Sequence, residues 1–250
     1  MNMLRLCFHS FAAAAVLGLA ACATPSAPPA GFTHHGNFKQ MSHSGDTQGR
    51  VKLADLRLAP GTWGVGATAG LKGEILVVDG RMLVSPGSDA RGQVRAPAAG
   101  EEAVLYAGAQ VAGWTAVPVP RELDQAGLEA FIVEQARARG VDVAQPFAFL
   151  VEGRFPRLRW HVVTGEKPAD AQGGGHGGGH ANAASGLRVF HDPGASGLLV
   201  GIYSGAALEG VVSHPGERFH LHYADAGLRV SGHVDAYAVG AGATLKLPQR

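Results

Sequence analysis

The sequence predicts an α+β protein built from two β-rich lobes, with mixed or antiparallel sheets and one main helix. Three observations lead there. Glycine supplies 37 of 250 residues, about twice the usual ~7%, which favours short strands and tight turns. Several short β-branched runs are bounded by turn residues, and a single segment carries a helical stripe. The chain is 46% hydrophobic, enough to bury a core. Its 21 basic residues balance 20 acidic ones, so no electrostatic footprint for a phosphate backbone exists and nucleic acid is excluded as a partner.

Met1 to Ala21 reads as a signal peptide: one positive charge at Arg5, then the apolar run from Phe11 to Ala20. That run is about half the ~20 residues a spanning helix needs, and no later segment comes closer. The stretch Leu19-Ala20-Ala21-Cys22 resembles the bacterial lipobox, which makes Cys22 the lipidation site. Ala23 in place of an aspartate directs such a lipoprotein to the outer membrane. The expected location is therefore periplasmic and lipid-anchored, with the anchor as the sole membrane contact. An ordinary cleavage near Ala21 or Ala23 would instead leave Cys22 a free thiol in an oxidising compartment. With Cys7 removed and Cys22 lipidated, no thiolate remains for a metal site.

Residues 22–36 form the lipidated cysteine and a Pro-rich tether, with folded structure starting near Gly31. A first lobe is expected over 37–171. In it, Ile75–Val78, the turn Asp79-Gly80 and Arg81–Val84 make a hairpin, residues 103–118 hold two further strands, and Glu122–Arg139 is the helix. The helix is drawn from the stripe Leu128, Phe131, Ile132, Gln135 and Ala136, from acids near its start and arginines near its end, and from Gly140 as its stop. Strands Phe147–Val151 and Arg157–Val163 follow. Residues 172–186, with His176 and His180 among glycines, read as a mobile surface loop. The second lobe, 187–250, reads as strands carrying the candidate metal site.

Twelve histidines stand against two cysteines, which points to imidazole chemistry. On a strand, His220 and His222 share a face. His233 joins them if the strands on either side of Asp225-Ala226-Gly227 pair so that partner numbers sum to 451 or 453; an even sum would turn it away. Three neutral imidazoles with an open fourth position describe a catalytic zinc site. A lone His-x-His more often marks a solvated face; a third histidine one short hairpin away raises its weight. Neither the cupin spacing, which needs a glutamate where Ala226 and Gly227 stand, nor that of carbonic anhydrase fits.

At this point the sequence resembles the acetolactate decarboxylases, whose zinc-binding stretch has the form G-x-H-x-H-F … G-G-H-V. Here it reads Arg218-Phe219-His220-Leu221-His222-Tyr223 … Ser231-Gly232-His233-Val234. Upstream, Gly64-Val65-Gly66 … Leu71-Lys72-Gly73-Glu74-Ile75 … Asp79-Gly80 is similar to the family's G-x-G-T-F-x-x-L-D-G-E-M … D-G, and Gly153-Arg154-Phe155 and Gly197–Tyr203 match two strands. The resemblance spans about Phe38 to Pro248. It implies an acetolactate-decarboxylase-like fold, Zn2+ or another divalent transition metal on His220, His222 and His233, and Glu74 as the proton-transferring carboxylate. It departs where the family has its arginine, a position held by His161, with Arg159 two residues away on the same face. These three, Glu74, His161 and Arg159, are the candidate catalytic residues. The family's second glutamate has no counterpart after His233, where Asp235 is the one acid.

The implied function is a zinc-dependent carboxy-lyase acting on 2-acetolactate to give acetoin, or on a related small 2-hydroxy-3-keto acid. The rival is a periplasmic zinc or nickel binder with the same site and no catalysis, which His34-His35, His176, His180, His191 and His214 would serve. A metal lyase or hydrolase for another small 2-hydroxy or 2-keto acid is a third reading. Monomer and homodimer both remain open.

Overall fold

The computed structural model describes residues 31–166 and 186–249. The signal peptide, Cys22 and most of the tether, and His176 and His180, lie outside them. The strands are β1 (Phe32–His35), β2 (Val51–Lys52), β3 (Thr62–Thr68), β4 (Gly73–Val78), β5 (Arg81–Pro86), β6 (Glu102–Gln110), β7 (Trp114–Pro118), β8 (Leu123–Asp124), β9 (Phe147–Phe155), β10 (Arg157–Val163), β11 (Leu187–His191), β12 (Ala195–Tyr203), β13 (Phe219–Asp225), β14 (Ser231–Val239) and β15 (Thr244–Pro248). They form two antiparallel sheets. The smaller runs β1-β6-β3-β4-β5 with β2 on β6, and the larger runs β11-β10-β14-β13-β12-β9-β15-β7 with β8 on β14.

The α+β class holds, but the sheets do not divide at the glycine-histidine loop. Strands β7, β9 and β10 precede that loop and belong to the larger sheet. The split into lobes 37–171 and 187–250 therefore does not follow the hydrogen bonding. The two strands expected in 103–118 part company, β6 to one sheet and β7 to the other. The tether also ends earlier than residue 36, because β1 pairs with β6 from Phe32 onward.

The larger sheet is buried on both faces, as alternation along its strands records. Leu199 of β12 and Phe149 and Val151 of β9 point into one cluster, whereas Val200, Ala148 and Leu150 point into the other. The first cluster is covered by helix α2 (Gln125–Ala138) through Leu128 and Ile132. The second is the joint between the sheets, where Val65, Leu76, Leu83 and Ala107 of the smaller sheet meet Leu198, Val200, Ile202 and Ala224 of the larger. The main helix thus packs on the larger sheet, rather than on a separate first lobe. It starts at the N-cap Asp124, whose carboxylate accepts from Gly127 N–H, with no acid in its first turn. Beyond Arg139, Gly140 turns left-handed at φ +74°, and Val141 and Gly140 donate to the carbonyls of Ala136 and Arg137, the paired bonds of a Schellman stop.

A second helix, α1 (Phe38–Ser44), was not expected. Asn37 caps it by accepting from Gln40 N–H, and Gly45 ends it at φ +67°. At seven residues it is too short for a stripe to be legible, and its stability comes from burying Phe38 and Met41 against Ala67, Leu71, Leu105 and Val163. The β4–β5 hairpin forms as expected, with Asp79 and Gly80 both at positive φ in a primed turn.

Close packing between strands makes one glycine diagnostic. A Cβ on Gly201 would clash with the tip of the Phe149 ring on the neighbouring strand. Gly201→Ala should cost about 1–3 kcal/mol in urea denaturation, and Phe149→Leu in the same chain should recover part of it; an unchanged midpoint would contradict the packing.

Candidate metal and active site

The site lies in the joint between the two sheets. On β13, Leu221 and Tyr223 point toward the helix-covered cluster, so His220 and His222 point toward the smaller sheet. His222 stands directly opposite His233 of β14. Partner numbers there sum to 455, neither the 451 nor the 453 expected, because the turn between the strands is longer; the sum is still odd, and that parity turns His233 to the face of His220 and His222. The turn is closed by Asp225, whose Oδ1 accepts from Val230 N–H at 3.0 Å while Leu228 takes a left-handed conformation at φ 51°. One ligand nitrogen from each of His220, His222 and His233 lies within 4.8 Å of the others.

Donor chemistry fits a tetrahedral cation. The Nε2 atoms of His220 and His222 are 3.2 Å apart; ligands at 2.0–2.1 Å from a tetrahedral zinc lie about 3.3 Å apart. His220 Nδ1 donates to the Val212 carbonyl at 2.8 Å, which fixes the tautomer and leaves the Nε2 lone pair for an ion. Burial holds all three imidazoles neutral. It lowers His220 to about 4, helped by His214, and His222 and His233 well below the usual histidine value, with neighbouring imidazoles adding to the effect.

Glu74 enters from the opposite sheet. On β4 it shares a face with Leu76, which lies in the joint, while Ile75 and Val77 point away. Its Oε1 accepts from Val163 N–H at 3.3 Å, and its Oε2 is 3.7 Å from His222 Nε2. Only 4% of the residue is exposed. Burial raises its carboxyl to about 7, against the opposing pull of His161 and the Val163 N–H.

A cavity of about 40 Å³ lies beside these groups, lined by the polar side chains of Glu74, His161, His214, His220 and His233 and by apolar ones that include Phe38, Met41, Leu71 and Leu105. His161 is buried beside His233, directly opposite it on β10. Arg159 is not in the lining. Its side chain is 42% exposed, and its Nε lies 3.8 Å from Asp235. His34 and His35 are on β1 of the smaller sheet, and His191 is exposed at the end of β11.

Phe38, Met41 and Asp235 had no role in the sequence reading, and His214 entered it only among the histidines of the metal-binding alternative. His214 projects over the site, 4.2 Å from the Phe38 ring and 5.4 Å from His233 between centroids, with Nδ1 3.2 Å from Glu217. Phe38 and Met41 supply the apolar lid, and only the Asn37 and Gly45 helix caps signalled them. Asp235 contacts His161 and is taken up below.

Linkage gives a pH signature for the metal-free chain. The folded imidazoles titrate below their unfolded value of 6.5, so the folded state binds fewer protons and stability is lost as pH falls below about 6.5, the share of His220 being lost by about 4. Glu74, raised from 4.5 to about 7, acts in the opposite direction over its own window. Three groups outweigh one, so the urea midpoint should rise between pH 4.5 and 6.5, more shallowly in His220→Gln. Zinc at 100 times its Kd should add about 2.7 kcal/mol at neutral pH; a pH-independent midpoint without zinc response would contradict the site.

The model of the alpha-acetolactate decarboxylase family matches residues 35–249. The fold is similar to that of acetolactate decarboxylase from Bacillus subtilis subspecies spizizenii, at TM-score 0.68 and 16% identity, covering 88% of this chain and 86% of that one. It is equally similar to alpha-acetolactate decarboxylase from Bacillus subtilis strain 168, at TM-score 0.68 and 17% identity over the same shares. A Staphylococcus aureus protein of unknown function, described as similar to alpha-acetolactate decarboxylase, follows at TM-score 0.65 and 15% identity, covering 87% and 85%. No curated protein matches the sequence significantly. With 35–249 matched and the two-sheet fold shared, the chain belongs to the alpha-acetolactate decarboxylase family.

Proposed function

We propose that this chain is a metal-dependent carboxy-lyase that converts 2-acetolactate, or a closely related small 2-hydroxy-3-keto acid, to the hydroxyketone. The observation that carries the reading is the convergence of three neutral imidazoles with a buried, partly protonated carboxyl beside one small cavity, which Glu74, His220 and His233 line. His220, His222 and His233 would hold a divalent cation, zinc by the donor set. Such an ion supplies Lewis acidity toward adjacent hydroxyl and keto oxygens.

The protein's own groups do the rest. Loss of carbon dioxide leaves an enediol that must receive a proton at carbon, and a carboxyl poised near neutrality can both take and return one. Glu74 has that poise because the sheets exclude water from it. The apolar wall of Phe38, Met41, Leu71 and Leu105 suits methyl groups. No arginine or lysine lines the cavity among the described residues, so the carboxylate of the substrate meets the imidazole of His214 in place of a guanidinium. The cavity has room for about one to three waters, so a five-carbon acid enters by displacing the α1 side chains.

The lipobox-like stretch ending at Cys22 supports anchoring of the domain at the periplasmic face of the outer membrane. Labelled palmitate should be incorporated into the chain in a Gram-negative host and lost in Cys22→Ser; incorporation that survives the substitution would place the lipid elsewhere.

Turnover is tested with the zinc-loaded chain. Acetoin should form from 2-acetolactate, vanish with the metal in His220→Ala, and fall about 10²- to 10⁴-fold in Glu74→Gln with zinc content unchanged. Stoichiometric zinc without turnover of any small 2-hydroxy-3-keto acid would overturn the enzyme reading in favour of a metal-binding protein.

A further inference from the structure

We propose that Asp235 is a positioning residue: left unpaired in β14 by a β-bulge, its carboxylate grips His161 Nδ1 and holds the imidazole with Nε2 turned to the cavity. The proposal rests on the decarboxylase reading only for its substrate.

The backbone shows the device. Along β10 and β14, Arg159 pairs with Ala236, but the next residue, Trp160, pairs with Val234. Asp235 is left opposite nothing, the extra residue of a bulge. The faces record the same slip: Val234, Tyr237 and Val239 all point into the helix-covered cluster, which an unbroken alternation from 234 would not allow. An unbroken register would set Asp235 directly opposite Arg159; the extra residue leaves it unpaired, still on the face of His233, with its carboxylate on His161. Its Oδ1 is 2.7 Å from His161 Nδ1, with the two side chains 5% and 6% exposed.

A carboxylate oxygen accepts, so Nδ1 must carry the proton and Nε2 is the nitrogen left for the cavity. Asp235 Oδ2 is buried with no hydrogen-bond partner, since the partly exposed Arg159 stands off at 3.8 Å. A buried acid with one oxygen unsatisfied is a poor structural brace. The arrangement makes sense where orienting the ring matters more than stability. His161 in turn sits against His233, with ring centroids 4.9 Å apart, and beside Glu74 on the cavity wall, where its unprotonated Nε2 can accept from the hydroxyl of a bound hydroxy acid.

The test uses the full chain loaded with zinc. Long-range nitrogen–proton correlation spectra should show His161 as a single Nδ1-protonated tautomer. Asp235→Ala should lose it, and Asp235→Asn, equal in size but able to donate as well as accept, should give a mixture. With 2-acetolactate, Asp235→Ala should lower kcat/KM about 10- to 100-fold at unchanged zinc content, yet change it less than about twofold in a His161→Gln background. A tautomer unaltered in both variants, or equal losses in both backgrounds, would overturn the proposal. If the wild-type chain does not turn over 2-acetolactate, the decarboxylase reading falls, and the tautomer spectra alone decide the role of Asp235.

Discussion

Everything at the site depends on the joint between two antiparallel sheets. That joint is apolar over most of its area, filled by Val65, Leu76, Val200 and Ile202. A polar group placed there loses its hydration and must either be neutral or find a partner. The same burial that makes three imidazoles neutral, and so ready to bind a cation, makes a carboxyl hold its proton to about pH 7. In the proposed reading, metal affinity and proton transfer would therefore share one physical cause.

Two-residue periodicity is what delivers these groups. Each site strand carries apolar residues into one layer and polar ones into the next: Leu221 and Tyr223 against His220 and His222, Trp160 and Val162 against His161, Ile75 and Val77 against Glu74. Adjacent antiparallel strands bring His161, His233 and His222 into one row across β10, β14 and β13. The smaller sheet, stacked face to face, then supplies the carboxyl. No loop has to be held in place for the row to form, which suits a constellation that must be rigid.

Much of this was legible in the sequence because strand alternation is a local rule. The shared face of His220 and His222 follows from their spacing, the β4–β5 hairpin from Asp79-Gly80, and the motif around Glu74 pointed to the same site. What was not legible is non-local. The assignment of β7, β9 and β10 to the larger sheet depends on pairing partners more than a hundred residues away in some cases, and no local pattern reports them. Helix α1 is too short for periodicity and is held by tertiary burial of Phe38 and Met41. The bulge at Asp235 breaks the alternation that made the rest readable. His214 comes from an irregular segment whose course over the site is set by backbone bonds from Phe38 and Lys39 to Val211 and Gly210.

The most direct measurement of the central claim is zinc-edge X-ray absorption on the loaded chain, paired with anomalous diffraction from its crystals. A single ion is expected, with three imidazole nitrogens at about 2.0–2.1 Å from His220, His222 and His233 and the Glu74 carboxyl facing it across the joint. An ion elsewhere, an oxygen-only coordination shell, or Glu74 turned out of the joint would contradict the account.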